Sequence, residues 1–210
     1  MPTPFISDLG GIDLSAFTRY LRSTQPEDVG RDCEAWGADP RDALALGDMC
    51  RHMLGWPGHA RGFFAWALAW LEAHPDAARE YTDLAARYAV LGDLSRWMSD
   101  REGAMEAWAK AIDHGSDDPV TYLRLALALE ATGRLEEARA RIDGLFALPP
   151  GTVRARLHPE QQRLAEELRA KLPVALTIRR GQDLRERVRE LLFVAGKSYG
   201  RYSGGAEQTT

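Results

Sequence analysis

The chain has 210 residues, 45% of them hydrophobic and 28% charged, which is the composition of a globular protein with a sizeable core. A disordered chain would carry fewer apolar residues and a larger net charge than the −4 found here. That small net charge favours neither nucleic-acid nor membrane binding. The only cysteines, Cys33 and Cys50, are too few for a disulfide framework in a chain of this length.

The charge is distributed unevenly along the chain. Residues 154–201 contain twelve Lys or Arg and six Asp or Glu, a net of +6, whereas the remaining 15 basic and 25 acidic residues give −10 elsewhere. A basic C-terminal part suggests a tail that contacts a partner or one that folds back on the acidic body. Residues 1–11 lack a signal-peptide pattern, and the most apolar stretch, 63–71, is far shorter than the ~20 residues that span a bilayer. We therefore expect a cytoplasmic protein without a membrane partner.

Apolar residues recur at three- and four-residue spacing along most of the chain, which predicts an all-α fold. Capping residues mark three helix starts: Asp39-Pro40, Ser99 with Glu102, and Asp118-Pro119. Glycine and proline predict stops at Gly115, Gly133 and 149–151. No break is visible between Asp76 and Met98, so one over-long helix is expected there.

Other helices are predicted near the two ends of the chain. They cover 12–21, 25–36, 158–172 and 182–195. Residues 174–178 form the only β-like run and are interpreted as an extended linker. The chain from 196 onward is rich in Gly, Ser and Thr, which is typical of a flexible tail.

The decisive feature is internal similarity at an offset of 34 residues. One set of positions, Tyr88, Leu91, Gly92 and Ser95, is repeated as Tyr122, Leu125, Ala126 and Leu129. A second set, Ala104, Trp108 and Ala111, is repeated as Ala138, Ile142 and Leu145. A looser copy precedes both, with one extra residue between its helices: Ala43, Leu46, Gly47 and Cys50, then Ala60, Phe64 and Ala67.

This pattern resembles the tetratricopeptide repeat, a helix–turn–helix unit of 34 residues. Small residues let two helices approach closely, and large residues fill the gaps between neighbouring hairpins, which stack into an α-solenoid. The resemblance covers about half of the chain and implies about three hairpins. We divide the chain into an N-terminal helical extension (1–38), a solenoid (39–152), basic C-terminal capping helices (153–196) and a flexible tail (197–210).

The resemblance also implies a partner-binding site, because in this family the first helix of each hairpin lines a concave groove that holds a peptide or helix of another protein. The groove candidates, hairpin by hairpin, are Asp48, Arg51 and His52; Asp93, Arg96 and Trp97; and Arg124, Leu127 and Glu130. Arg51 and Arg96 would bind partner carboxylates, and Trp97 would act as an aromatic anchor. Alternatively, Asp48 pairs with Arg51 and Asp93 with Arg96 on a solvated helix face, and Trp97 packs under the adjacent helix.

No catalytic or metal-binding motif is visible in the sequence. The tightest cluster is Cys50, His52 and His59, but Cys50 and His52 lie two positions apart on a predicted helix and so point to different faces. Metal-ligand spacings and phosphate-binding glycine loops are missing, and the Gly-x-Ser-x-Gly string at 196–200 lies in the predicted flexible tail, not at a strand-to-helix turn as in a nucleophile elbow. We expect a non-enzymatic protein without metal or cofactor, in which the thiols are structural.

Two further hypotheses concern the basic C-terminal part. Its arginines would contact nucleic-acid phosphates, although Asp183, Glu186 and Glu190 lie between them and weaken the field. Nucleic-acid association is therefore the alternative function. The predicted last helix carries an apolar stripe of Leu184, Val188, Leu191 and Leu192. This stripe either caps the solenoid or docks a partner or a second copy.

Overall fold

The computed structural model describes residues 4–6 and 11–173, together with 182 and 186. Its helices, in chain order, are α1 (Leu14–Ser23), α2 (Val29–Trp36), α3 (Pro40–Met49), α4 (Pro57–Ala73), α5 (Pro75–Ala78), α6 (Leu84–Trp97), α7 (Arg101–Asp113), α8 (Pro119–Ala131), α9 (Leu135–Ala147), α10 (Pro150–Arg156) and α11 (159–173). The β-structure in the described ranges is one isolated bridge between Ile6 and Ile12. The predicted all-α class is confirmed.

The helices pack as sequential hairpins that stack into a solenoid. The main packing partners are α3 with α4, α6 with α7, and α8 with α9, and these hairpins are joined through contacts of α4 with α6 and of α7 with α8. At one end, α2 packs against α4. At the other end, α11 places Ala165, Leu168 and Leu172 in the core that α8 and α9 share. None of the helices in the described ranges has both the length and the apolarity needed to cross a bilayer.

The small residues of the repeat lie where two helices approach most closely. A Cβ on Gly92 would lie 2.4 Å from Cδ1 of Trp108, and one on Gly47 would lie 3.0 Å from Cδ2 of Phe64. Ala126 and Ala138 are fully buried in the next hairpin. Large side chains therefore fill the space that small ones leave open, and this packing fixes the distance between the paired helices.

The extra residue of the first hairpin is absorbed in a π-helical turn. α3 runs directly into this turn, Cys50–Leu54, which ends at Gly55 with a φ of 67°. The backbone N–H of Trp56 donates to the carbonyl oxygen of Cys50 at 2.9 Å, which closes the wide turn. Such insertions change the direction in which the following side chains point and are frequent at functional sites. Here the turn carries Arg51, His52 and Met53.

Several predicted helix ends are found where the sequence placed them. Asp39 and Asp118 accept hydrogen bonds from backbone N–H groups in the first turns of α3 and α8. Gly115 and Gly133 have φ values of 85° and 76° just after α7 and α8, as glycines at a helix end commonly do. At α7, the N-cap is Asp100 and not Ser99, so the capping-box assignment is wrong. Ser99 instead has a φ of 63° in the turn.

The single helix expected over 76–98 is also wrong. It is interrupted over 79–83 between α5 and α6. Tyr81 packs there against the core of the first hairpin, and the Arg41 guanidinium lies over its ring, so tertiary contacts override helix propensity.

The predicted stop at 149–151 is confirmed, because α9 ends at Ala147. Pro150 also begins the next helix, since it occupies the first position of α10, where the missing N–H of proline leaves no helical hydrogen bond unmade.

Replacing Gly92 by Ala is expected to lower the free energy of unfolding by about 1–3 kcal/mol, because the added Cβ overlaps the buried Trp108 indole. Gly151→Ala on α10 is the matched control, since a Cβ there meets nothing within 4 Å. The control should be neutral or stabilising by up to about 1 kcal/mol. Urea unfolding followed by circular dichroism measures both, and equal stability of the two variants would contradict the close approach.

The cap of α7 gives a second prediction. Asp100→Ala should cost about 0.5–2 kcal/mol, because Asp100 accepts a 2.9 Å hydrogen bond from the Gly103 N–H and also pairs with Arg61. Ser99→Gly should not destabilise, because a positive φ suits glycine. Thermal unfolding compares the two variants. A larger loss from Ser99→Gly than from Asp100→Ala would restore the capping-box assignment.

Candidate functional site

Two adjoining cavities are formed by residues of the π-helical turn, the start of α4, and helices α6, α7 and α8. The larger, about 790 Å³, is lined by Gly55 and Pro57 together with Arg51, Asp93, Arg96, Trp97 and Arg124. The smaller, about 430 Å³, shares Arg96 and Arg124 with it and adds Arg101, Trp108, Leu127 and Ala131. We call the two together the arginine groove, because arginine is its most frequent charged residue.

The structure brings together most of the groove candidates that the sequence suggested. Those that line the arginine groove are Arg51, Asp93, Arg96, Trp97, Arg124 and Leu127. Asp48, His52 and Glu130 do not line it. His52 is exposed on the π-helical turn, and the two acids are engaged with cations of neighbouring helices. The function of the whole set stays a prediction.

Each acid among the groove candidates pairs with a cation from a later helix: the first helix of the next hairpin for Asp48 and Asp93, and helix α11 for Glu130. The pairs are Asp48 with Arg87, Asp93 with Arg124, and Glu130 with Lys171. The alternative pairings along one helix, Asp48 with Arg51 and Asp93 with Arg96, are therefore wrong. Stacking of the hairpins brings a cation of the next helix to each acid, and the stacked helices hold both partners in place.

The acids are thus neutralised, and three arginines of the groove are left without an acidic partner. Arg51, Arg96 and Arg101 are all exposed, and none of them forms an ion pair with any residue that the structure describes. Arg51 lies on the π-helical turn, Arg96 near the end of α6, and Arg101 at the start of α7. Free guanidinium groups of this kind are suited to bidentate binding of carboxylates.

Trp97 is the most exposed of the large apolar side chains in the described part of the chain, at 76%. The alternative in which it packs under the adjacent helix is therefore wrong. Met53 at 72% and Met98 at 46% are also exposed near the same ends of the hairpins. Tryptophan is usually mostly buried, so an open indole that lines a cavity with Arg51 and Arg96 is a candidate binding surface.

Asp93 connects this surface to the core. Its Oδ1 accepts a hydrogen bond from Nε1 of Trp108 at 3.2 Å and a second one from Nη1 of Arg124. Trp108 is only 2% exposed, so its N–H depends on this acceptor. Sequence reasoning identified Trp108 as a packing residue but had no signal for its hydrogen bond, because the acceptor lies 15 residues away.

The thiols and histidines form no catalytic or metal centre in the ranges that the structure describes. Cys33 and Cys50 are fully buried, and burial raises the pKa of both thiols to about 12, with the Asp32 charge adding to the shift of Cys33. Thiols with such a pKa stay protonated at neutral pH and are poor nucleophiles. Nε2 of the buried His59 donates to the Thr24 carbonyl at 2.9 Å. Within the described ranges, no group of three His, Cys, Asp or Glu side chains could hold a metal ion.

The C-terminal candidates cannot be placed in the same way. The stripe of Leu184, Val188, Leu191 and Leu192 lies outside the described residues, as do the arginines of 179–201. The capping and nucleic-acid hypotheses stay predictions.

The described helices define an all-α solenoid of stacked hairpins with an open groove along their first helices. Two crystal structures of MamA are similar, both at 18% identity. One has a TM-score of 0.46 over 78% of this chain and 80% of that chain, and the other 0.45 over 82% and 88%. These values are too low to transfer a function. No protein-family model matches the sequence, and no curated protein matches it.

Asp93 and Arg96 should differ sharply in their effect on stability. Asp93→Ala is expected to cost about 1–3 kcal/mol, because the buried Trp108 N–H loses its acceptor. Arg96→Ala, which removes an exposed side chain without an acidic partner among the described residues, should change stability by less than about 0.5 kcal/mol. Chemical denaturation measures both. A cost for Arg96→Ala as large as that for Asp93→Ala would show that Arg96 is a structural residue.

Proposed function

We propose that this chain is a tetratricopeptide-like, non-enzymatic scaffold that holds a peptide or helix of a partner protein in the arginine groove. The observation that carries the proposal is the open indole of Trp97, which lines one cavity with Arg51 and Arg96, two arginines without an ion pair in the described part of the chain. A binding surface of this kind combines an aromatic anchor with charged groups that orient the ligand.

The magnitudes suit a reversible interaction. Covering an indole removes on the order of 150–250 Å² from water, which corresponds to roughly 4–6 kcal/mol. Each charge-assisted hydrogen bond to an arginine adds about 1.5–3 kcal/mol. Association costs about 4–15 kcal/mol in lost freedom, so these gains are largely offset and only their surplus appears as affinity.

Site-specific photo-crosslinking tests this function. A photoreactive phenylalanine analogue replaces Ala131, an exposed position that lines the groove, and in a control protein it replaces Arg19, an exposed position on α1. We expect a discrete protein adduct in native lysate from position 131 and none of that mass from position 19. The adduct should disappear when Trp97→Ala is added to the probe at 131.

Two results would contradict the proposal. An adduct that is the same at both positions, or that is unaffected by Trp97→Ala, would remove the groove as the binding site. Copurification of nucleic acid alone, in a salt-dependent manner, would instead favour the alternative function through the basic residues of 154–201.

A further inference from the structure

We propose that the occupant of the arginine groove is an acidic protein segment, whose carboxylates bind Arg51, Arg96 and Arg101 and whose apolar side chain covers Trp97. This inference rests on the proposed function, because it specifies the chemistry of the partner that the groove holds. Its basis is the electrostatic state of the groove in the unbound protein.

The acidic groups of the groove are used within the fold itself. Asp93, the acid that lines the groove, accepts from both Arg124 and Trp108. Asp48, on the neighbouring first helix, is held by Arg87. A basic partner segment would have to displace these intramolecular partners and leave the Trp108 N–H buried without an acceptor. The groove therefore disfavours cationic ligands.

The arginines of the groove differ from its acids in their ion pairing. Arg51, Arg96 and Arg101 are exposed, and within the described part of the chain they have no acidic partner to give up. A carboxylate that enters the groove replaces water on these guanidinium groups without breaking an existing ion pair. Because both oxygens of a carboxylate match the guanidinium fork, arginine binds it more specifically than lysine does.

The negative charge of the rest of the chain favours a short anionic ligand over a long one. Outside residues 154–201 the net charge is −10, so the part of the chain that carries the basic groove is acidic as a whole. A long, uniformly charged polyanion such as nucleic acid would have to pass over that body, where it is repelled. A short acidic segment with an apolar residue fits within the groove and satisfies both the arginines and the indole.

A random-peptide display library is the probe for this preference. It is selected on the immobilised full-length protein, with elution by soluble protein to remove matrix binders. We expect the recovered peptides to be enriched in Asp and Glu together with a large apolar residue. Synthetic versions of the best peptides should bind more weakly as salt increases, and replacing their Asp and Glu by Asn and Gln should weaken binding by about tenfold or more.

Groove variants separate the contributions of the side chains. Arg51→Gln with Arg96→Gln should weaken the selected peptides by about tenfold or more, whereas Arg96→Lys should cause a smaller loss because it keeps the charge but not the fork. Trp97→Ala should abolish the apolar preference and retain the acidic one. Arg19→Gln on α1 is the matched control and should bind like the wild type. Circular dichroism verifies that each variant is folded.

The outcomes distinguish this inference from the proposed function. Enrichment of neutral or basic peptides, or no enrichment that depends on Arg51 and Arg96, overturns the acidic occupant, while a groove adduct at position 131 would leave the scaffold function standing. A thymidine oligonucleotide that displaces the selected peptides through the same arginines overturns a protein segment as the occupant. If no protein adduct forms at position 131 in lysate but acidic peptides are still enriched, the scaffold function is overturned, and the preference of the groove for acidic peptides remains.

Discussion

The close contact between Gly92 and Trp108 is the constraint on which both the stacking and the groove depend. The indole occupies the space that a side chain at position 92 would fill, and this brings α6 and α7 together. In that position its Nε1 reaches Asp93, the residue next to Gly92. One packing contact thus determines the distance between two helices and also assigns a partner to the carboxylate that faces the groove. A change at Gly92 would disturb the core and the electrostatics of the groove together.

The solenoid separates charges that hold it together from charges that are left for a ligand. Acids of the first helices receive cations from the following hairpin, as in the pair of Asp93 with Arg124. These pairs are partly exposed, and each contributes little to stability on its own. They neutralise acids on the first helices, whereas Arg51 and Arg96 have no ion-pair partner among the described residues. The positive charge of the groove therefore follows from the way in which the hairpins stack.

Much of the fold could be predicted from the sequence because its signals are local and repeated. The capping aspartates and the glycines after α7 and α8 act within one or two turns of a helix. The repeat is visible because the same short motif recurs at an offset of 34 residues. The errors occur where contacts between residues far apart in the sequence determine the structure. Tyr81 interrupts the expected long helix because it packs on the first hairpin, and Asp93 pairs with Arg124 rather than with Arg96 on its own helix. At the site, the resemblance to the tetratricopeptide repeat suggested positions of which six line the two cavities, and their role in binding stays a prediction. Whether Trp97 is open or covered depends on packing that no local pattern encodes.

An exposed indole favours self-association, and the charged residues that line the same cavity oppose it. Trp97 lines its cavity with Arg51 and Arg96, whose exposed guanidinium groups place positive charge on the same surface. The same charges oppose association of two copies through this face, since like charges would meet there. In the proposed complex, the carboxylates of an acidic segment make these charges attractive, and its apolar side chain covers the indole. Under this proposal, the two arginines both keep the unoccupied groove hydrated and select its occupant.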